Sequence, residues 1–242
     1  MIIKCVWEHN GDDTLLYAPD YPGAFTRGET KSAAEAKMPA EIASYIKWAF
    51  RDCRDMLVFP DNQAEICIVQ EQNSSLRIAD ADSDVIFETE KTPLAKEEYM
   101  HLKKLALRSA ADFFAMYSSI ADKCSSSSPR RETFYGKVPQ TAQEMYEHTK
   151  NVNSYYFAEI DIDADNEGSI YECRKRGFEL LEQSADFLSN PVIEGSCGEL
   201  WSLRKVMRRF IWHDRIHAKA MLRMAVKNFG EHSVDNTFGF VF

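Results

Sequence analysis

The sequence predicts an α+β protein: a small sheet-plus-helix domain over residues 1–91, then an all-α four-helix bundle over residues 92–242. Three observations predict it. Short alternating segments separated by turn residues fill the first ninety positions. Four stretches with apolar residues at three- and four-residue steps follow Thr92-Pro93. Charge divides at the same place. Residues 1–90 hold 8 Lys+Arg against 17 Asp+Glu, the whole net charge of −9, and the remainder holds 21 of each.

Residues 2–8 read as a strand, and Asn10-Gly11-Asp12-Asp13 is a turn signal, so Thr14–Ala18 returns as the second arm of a hairpin. Prolines and glycines shape residues 19–30 into a turn with a short third strand at Ala24–Arg27. Thr30 is placed to cap a helix that starts Ser32-Ala33-Ala34-Glu35-Ala36, continues on Ile42, Tyr45, Ile46 and Ala49, and stops at Pro60-Asp61-Asn62. Ala64–Gln70 reads as another strand, with Leu76–Ala79 and Val85–Phe87 as further short ones. The stretch Ala18-Pro19-Asp20-Tyr21-Pro22-Gly23-Ala24-Phe25-Thr26-Arg27-Gly28-Glu29-Thr30 and the helix start after it resemble a HicB-like antitoxin domain over about 80 residues, with Glu29 in place of that family's aspartate. The resemblance implies a partner-binding module. The sequence shows neither a toxin nor a DNA-binding segment, so an antitoxin role does not carry over.

Thr92-Pro93 marks the boundary, because the residue before proline is steered away from helix. Leu94 to about Lys123 is then helical, with Leu102, Leu105, Ala106, Ser109, Phe113, Met116, Tyr117 and Ile120 on one face. The serine-rich residues 124–132 form a loop. Thr141 and Glu144 have capping-box spacing, and the face behind them runs Met145, His148, Val152, Tyr155 or Tyr156, Glu159. Ser169 caps a third helix with Ile170, Cys173, Phe178, Leu181, Ala185 and Leu188 inward, and a last helix spans about Leu200–Phe229. The four are expected to run about 20–30 residues each.

The composition, 45% hydrophobic and 28% charged, is that of a globular chain. No apolar run reaches membrane-spanning length. The strand-like start does not read as a secretory signal. The six cysteines (Cys5, Cys53, Cys67, Cys124, Cys173, Cys197) contain no Cys-x-x-Cys pair, so they read as reduced thiols of a cytoplasmic protein. The acidic first part argues against nucleic acid as a partner.

The last helix carries His213 and His217, four residues apart and therefore on one face, with Val206, Phe210, Ala220 and Met224. His148 is the third histidine on an expected inward face. Spacing alone leaves two readings: three satisfied core histidines, or three ligands of one divalent metal with a position left open, as in catalytic sites. Imidazole suits zinc and nickel, the first candidates, and also iron and copper. His9, His101 and His232 read as surface or satisfied positions. Asp214 and Glu147 lie about 100° around their helices from the ligands, which places them outside a coordination sphere. The last helix is also basic (Arg204, Lys205, Arg208, Arg209, Arg215, Lys219, Arg223, Lys227). A solvated outer face, docking onto the acidic first part and attraction of an anionic thiol are its three readings.

From Thr141 onward the chain resembles the DinB-like metal-binding superfamily. The likeness lies in Thr141-Ala142-Gln143-Glu144-Met145-Tyr146-Glu147-His148, Trp212-His213-Asp214-Arg215-Ile216-His217 and the tail Asp235-Asn236-Thr237-Phe238-Gly239-Phe240. With the preceding helix it covers about 150 residues, and the interval from His148 to His213 is short for the family. The resemblance implies a divalent metal on His148, His213 and His217. It also implies an activity such as thiol S-transfer to a small electrophile, with a low-molecular-weight thiol as co-substrate. The partners expected are a small-molecule substrate, a protein docked on the N-terminal part, and a second copy of the chain. The alternative is a non-catalytic metal sensor or partner-binding protein built on the HicB-like domain.

Overall fold

The computed structural model describes residues 1–11, 13–52, 64–80, 82–126, 132–133 and 136–241, and it is α+β. A four-stranded sheet with order β3-β2-β1-β4 comes first: β1 is Ile2–Asn10, β2 Asp13–Tyr17, β3 Phe25–Gly28 and β4 Glu65–Asn73. The expected hairpin forms, with Trp7 opposite Leu16 and His9 opposite Thr14. β4 lies parallel to β1, and parallel neighbours require a crossover. Helix α1 (Lys31–Ala49) lies in that connection. Thr30 caps it by accepting from the Ala33 amide at 3.2 Å. The helix ends at Ala49, well before Pro60-Asp61-Asn62, which lie outside the described residues.

Two expected strands are absent from the sheet. Ile78–Asp80 is a single 3-10 turn, and Val85–Phe87 is irregular. Their apolar residues alternate because Val85 and Phe87 are buried against Tyr17 and Trp212, not because the backbone pairs with a strand. Side chains satisfy its polar groups instead. The Val85 amide donates to Glu8 Oε1 at 3.3 Å, the Phe87 amide to Glu90 Oε2 at 2.8 Å, and Gln70 Nε2 donates to the Ile86 carbonyl at 2.9 Å.

Four helices follow: α2 (Lys96–Ser119), α3 (Ala142–Ala158), α4 (Ile170–Leu181) and α5 (Leu203–Phe229). The capping boxes read from sequence form at Thr141 and at Ser169, whose hydroxyls accept from the amides of Glu144 (3.1 Å) and Glu172 (3.3 Å). The uniform length of 20–30 residues does not hold, since α3 has 17 residues and α4 has 12. α4 stops at Leu181 because the next amides tighten onto carbonyls three residues back, Gln183 on Leu180 and Ser184 on Leu181, both at 3.1 Å. Ala185, expected inward, is exposed. α5 begins late because Leu200–Trp201 pairs with Ile193–Glu194 as a short ladder, after which Ser202 caps the helix. α5 packs along α2 and α3, and α4 packs on the same two. None of the described helices is long and apolar enough to cross a membrane.

α5 is also the seam between sheet and helices. One apolar cluster runs from Ile3 and Leu16 through Tyr45 and Trp48 to Phe210 and Met221. A second places Trp212 among Val6, Leu15, Tyr17 and Phe87. The chain at Gly23 (φ 88°) lies so close to α5 that a Cβ there would sit 2.5 Å from the Ile211 side chain and 2.9 Å from the Trp212 amide nitrogen. The reading of α5's basic residues as a solvated face is corrected accordingly. Lys205, Arg208, Arg209 and Arg215 are buried. Arg215 and Lys219 donate to Glu41 at 2.7 and 2.6 Å, and Arg208 Nη2 donates to Glu90 Oε2 at 3.1 Å. Both carboxylates belong to the acidic first part, so docking is the reading that describes these residues. A buried cation without such partners would be expensive.

Candidate metal centre

α3 supplies His148, and α5 supplies His213 and His217 one turn apart. The structure brings these three together. Their ligand atoms all lie within 4.8 Å of one another, and Nε2 of His148 and Nε2 of His213 are 3.2 Å apart. Ring centroids are separated by 5.1 Å for 148–213, 4.7 Å for 148–217 and 4.5 Å for 213–217. Two nitrogens at about 2.0–2.1 Å from a tetrahedral zinc stand about 3.3 Å apart. The 3.2 Å separation therefore suits one shared ion, and it equally suits a single N–H···N hydrogen bond. A hydrogen bond would serve one pair only, whereas an ion would use all three convergent rings.

Burial differs from the sequence expectation. His213 is buried and His217 partly so, but His148 is exposed. The buried stripe of α3 is Ala142, Met145, Tyr146, Thr149, Asn153, Tyr156 and Phe157. His148 stands at its margin, with protein behind the ring and solvent in front. Burial pushes the pKa of all three below the ordinary histidine range. For His213 the nearby positive groups, His217 first, add to the effect of burial. For His217 burial is again the larger cause and His148 the smaller, and its pKa falls to about 3. Each ring is therefore neutral at pH 7 with a lone pair to give, the state a metal ligand needs.

The groups read as outside a coordination sphere are occupied elsewhere. Asp214, fully buried, accepts from Arg174 Nη2 at 3.1 Å. Glu147 pairs with Lys150 at 3.0 Å. His9 bonds Glu71 at 3.1 Å, and His101 stacks on Phe50. A metal-ligating histidine ordinarily donates its other ring N–H to a carboxylate, a carbonyl or water. Nδ1 of His213 is buried without a hydrogen-bond partner among the described residues, so that orienting role falls to packing. Tyr156 stands edge-on to the His213 ring at 6.0 Å. Of the described cysteines, Cys5 and Cys173 are buried, Cys67, Cys124 and Cys197 are exposed, and none is in a disulfide.

The cluster opens into a cleft of about 1170 Å³. Phe25, Lys37 and Glu41 line it from the first part of the chain, and Tyr156, Arg209 and Trp212 from the helices. Sequence reasoning missed this second wall, which depends on how the sheet docks on α5. It named Arg209 only as one of eight basic residues of the last helix and did not set it beside the histidines, although Arg209, His213 and His217 repeat at four-residue steps on one face. In chemical terms the site is three neutral imidazoles on the floor of a solvent-reached cleft, able to hold an ion and leave a position for a ligand. Comparisons with family models, curated proteins and solved structures find no match for this chain.

Proposed function

We propose that the chain is a metal-dependent enzyme of the DinB-like class, in which α2–α5 form the four-helix bundle and His148, His213 and His217 hold a divalent ion, zinc or nickel. The observation that carries the reading is the convergence of three neutral imidazoles beneath an open cleft. Such an ion would supply Lewis acidity, acidifying a bound water or thiol. The chain's own groups do the remaining work. The histidines fix the ion between two helices, and the Tyr156 and Trp212 rings wall the reacting position. The N-terminal part, read as a HicB-like module, closes the cleft from the other side. Transfer of a low-molecular-weight thiol to a small electrophile is the reaction proposed. The alternative, a non-catalytic sensor or partner-binding protein, has no need for solvent to reach the ion, so the open cleft favours the enzyme.

The test is metal content of the purified chain and of a His213→Ala/His217→Ala variant. One ion per chain in the parent and none in the variant is expected. Stoichiometric metal surviving in the double variant would sink the reading. A screen of thiols against electrophilic acceptors then addresses the reaction.

A further inference from the structure

Arg209 lies one turn before His213, about 6 Å along the helix axis, and lines the same cleft. Its guanidinium is nearly buried, with 9% of the residue exposed. Its hydrogen-bond acceptors are neutral: Nη1 donates to the Ser83 carbonyl at 2.7 Å, and the Tyr156 hydroxyl is a second one. Nε has no partner among the described residues, and neither has the buried indole N–H of Trp212 beside it. Among the described residues no carboxylate is ion-paired with it, although Glu199 and Glu8 favour its charge through space. Glu199 acts on it from a distance but is itself paired with Lys205 at 2.8 Å. Glu8 is engaged by Tyr17 at 3.0 Å, and burial raises its pKa. The other buried cations of α5 tell the opposite story: Arg208 and Arg215 each carry a carboxylate. A buried guanidinium without an anion is a standing cost that a ligand can relieve.

The surroundings have the same bias. The chain as a whole carries −9, yet the cleft is lined by seven Lys and Arg against four Asp and Glu. The planar group of Arg209 sits among three aromatic rings, Trp212 at 4.9 Å, Trp201 at 5.5 Å and Tyr156 at 5.6 Å. Guanidinium pairs carboxylate in a planar two-point geometry.

We propose that Arg209 is the anion-recognising residue of this cleft, and that the substrate is a small carboxylate with an apolar or aromatic body. Its carboxylate pairs with the guanidinium while its reacting atom, a few bonds away, lies over the histidine cluster. The inference rests on the reading of that cluster as the reaction centre, and it adds the substrate class.

The experiment is calorimetric titration of the full chain, zinc-loaded and metal-free, with benzoate and with benzyl alcohol as its uncharged counterpart. It is repeated for Arg209→Met and Arg209→Lys, with zinc content measured on each. Benzoate is expected to bind the parent at least tenfold tighter than benzyl alcohol. Arg209→Met is expected to lose at least tenfold while retaining zinc, and Arg209→Lys to fall between. Should Arg209→Met not fold, indole N–H resonances of the parent give the second readout: benzoate moves those of Trp201 and Trp212 and leaves Trp7 unmoved. Equal affinity for the two probes, unchanged benzoate binding in folded Arg209→Met, or no shift at Trp201 and Trp212 overturns the proposal. Failure to bind zinc alongside Arg209-dependent benzoate binding would remove the metal reading and leave the anion site standing.

Discussion

Replacing Glu41 by Gln keeps the shape of the side chain and removes its charge. Glu41 is 8% exposed and accepts from Arg215 and Lys219, and Arg215 is wholly buried. Burial works against the Glu41 charge, but the two cations outweigh it and hold the carboxyl below its ordinary range. Without that charge Arg215 is left beside aromatic faces, Tyr45 and Phe240 at 5.1 Å and Trp48 at 5.2 Å. Stripping one partner from a buried pair costs about 3–5 kcal/mol. The amide oxygen of Glu41→Gln can still accept from Arg215, which puts the loss at the low end of that range, about 3 kcal/mol. At about 2–4 °C per kcal/mol for a chain of this size, Tm falls by about 6–12 °C. The same helix supplies the control. Glu35 faces Lys31 across 4.0 Å with both side chains part-exposed, so Glu35→Gln is worth about 0.3 kcal/mol. Urea unfolding at pH 7, followed by tryptophan fluorescence and far-UV circular dichroism together, measures both. Adding Arg215→Met to Glu41→Gln should recover most of the loss, because an apolar side chain needs no anion. A Glu41→Gln loss within 0.5 kcal/mol of the control, or a double variant weaker than the single, refutes the assignment of α5 as an electrostatically clamped seam.

Two further predictions concern the histidines. Burial depresses the pKa of His213 and His217, so on acidification the unfolded chain takes up protons at these sites near pH 6.5 while the folded chain does not. Stability is therefore present above the unfolded value and lost as pH falls below it: about 2.5 kcal/mol between pH 7 and 5.5 for the two rings in the metal-free chain. Urea midpoints at the two pH values check this, and a midpoint that stays level would contradict neutral buried rings. His148 is exposed, so His148→Ala should change metal-free stability by no more than about 0.5 kcal/mol. Its zinc affinity, read by competition with a chromophoric chelator, should fall by more than the roughly 10–100-fold that loss of an outer partner causes. Unchanged affinity would show that α3 contributes no ligand.

Local chemistry was legible in the sequence wherever neighbours decide it. The caps at Thr30, Thr141 and Ser169 form as their spacing dictates, and the pairing of His213 with His217 follows from helix period alone. Long-range pairing was not legible. The basic residues of α5 look solvated in isolation because Glu41 and Glu90 lie 174 and 118 residues away from Arg215 and Arg208. Hydrophobicity also misled where polar groups are buried for their hydrogen bonds. The inner face of α3 includes Asn153, which donates to the Asp165 carbonyl at 2.8 Å, so the stripe turns away from the line through Met145, His148 and Val152.

That turn of α3 carries a functional consequence. Three histidines sealed in a core could hold an ion, but the fourth position would face packed side chains and admit no ligand. With the stripe running through Thr149 and Asn153, His148 moves to the margin and brings the cluster up to the floor of the cleft. α5 does the complementary work from below. Its buried pairs with Glu41 and Glu90 tie the first part of the chain to the helices, and Gly23 lets the two backbones approach, so that Phe25 and Lys37 line the same cleft as His148. The same docking buries Arg209 with no carboxylate ion-paired to it among the described residues. The ion pairs that build the seam and the guanidinium of Arg209 on the cleft wall are thus parts of a single arrangement, in which the sheet walls a cleft that the helices alone would leave as an open groove.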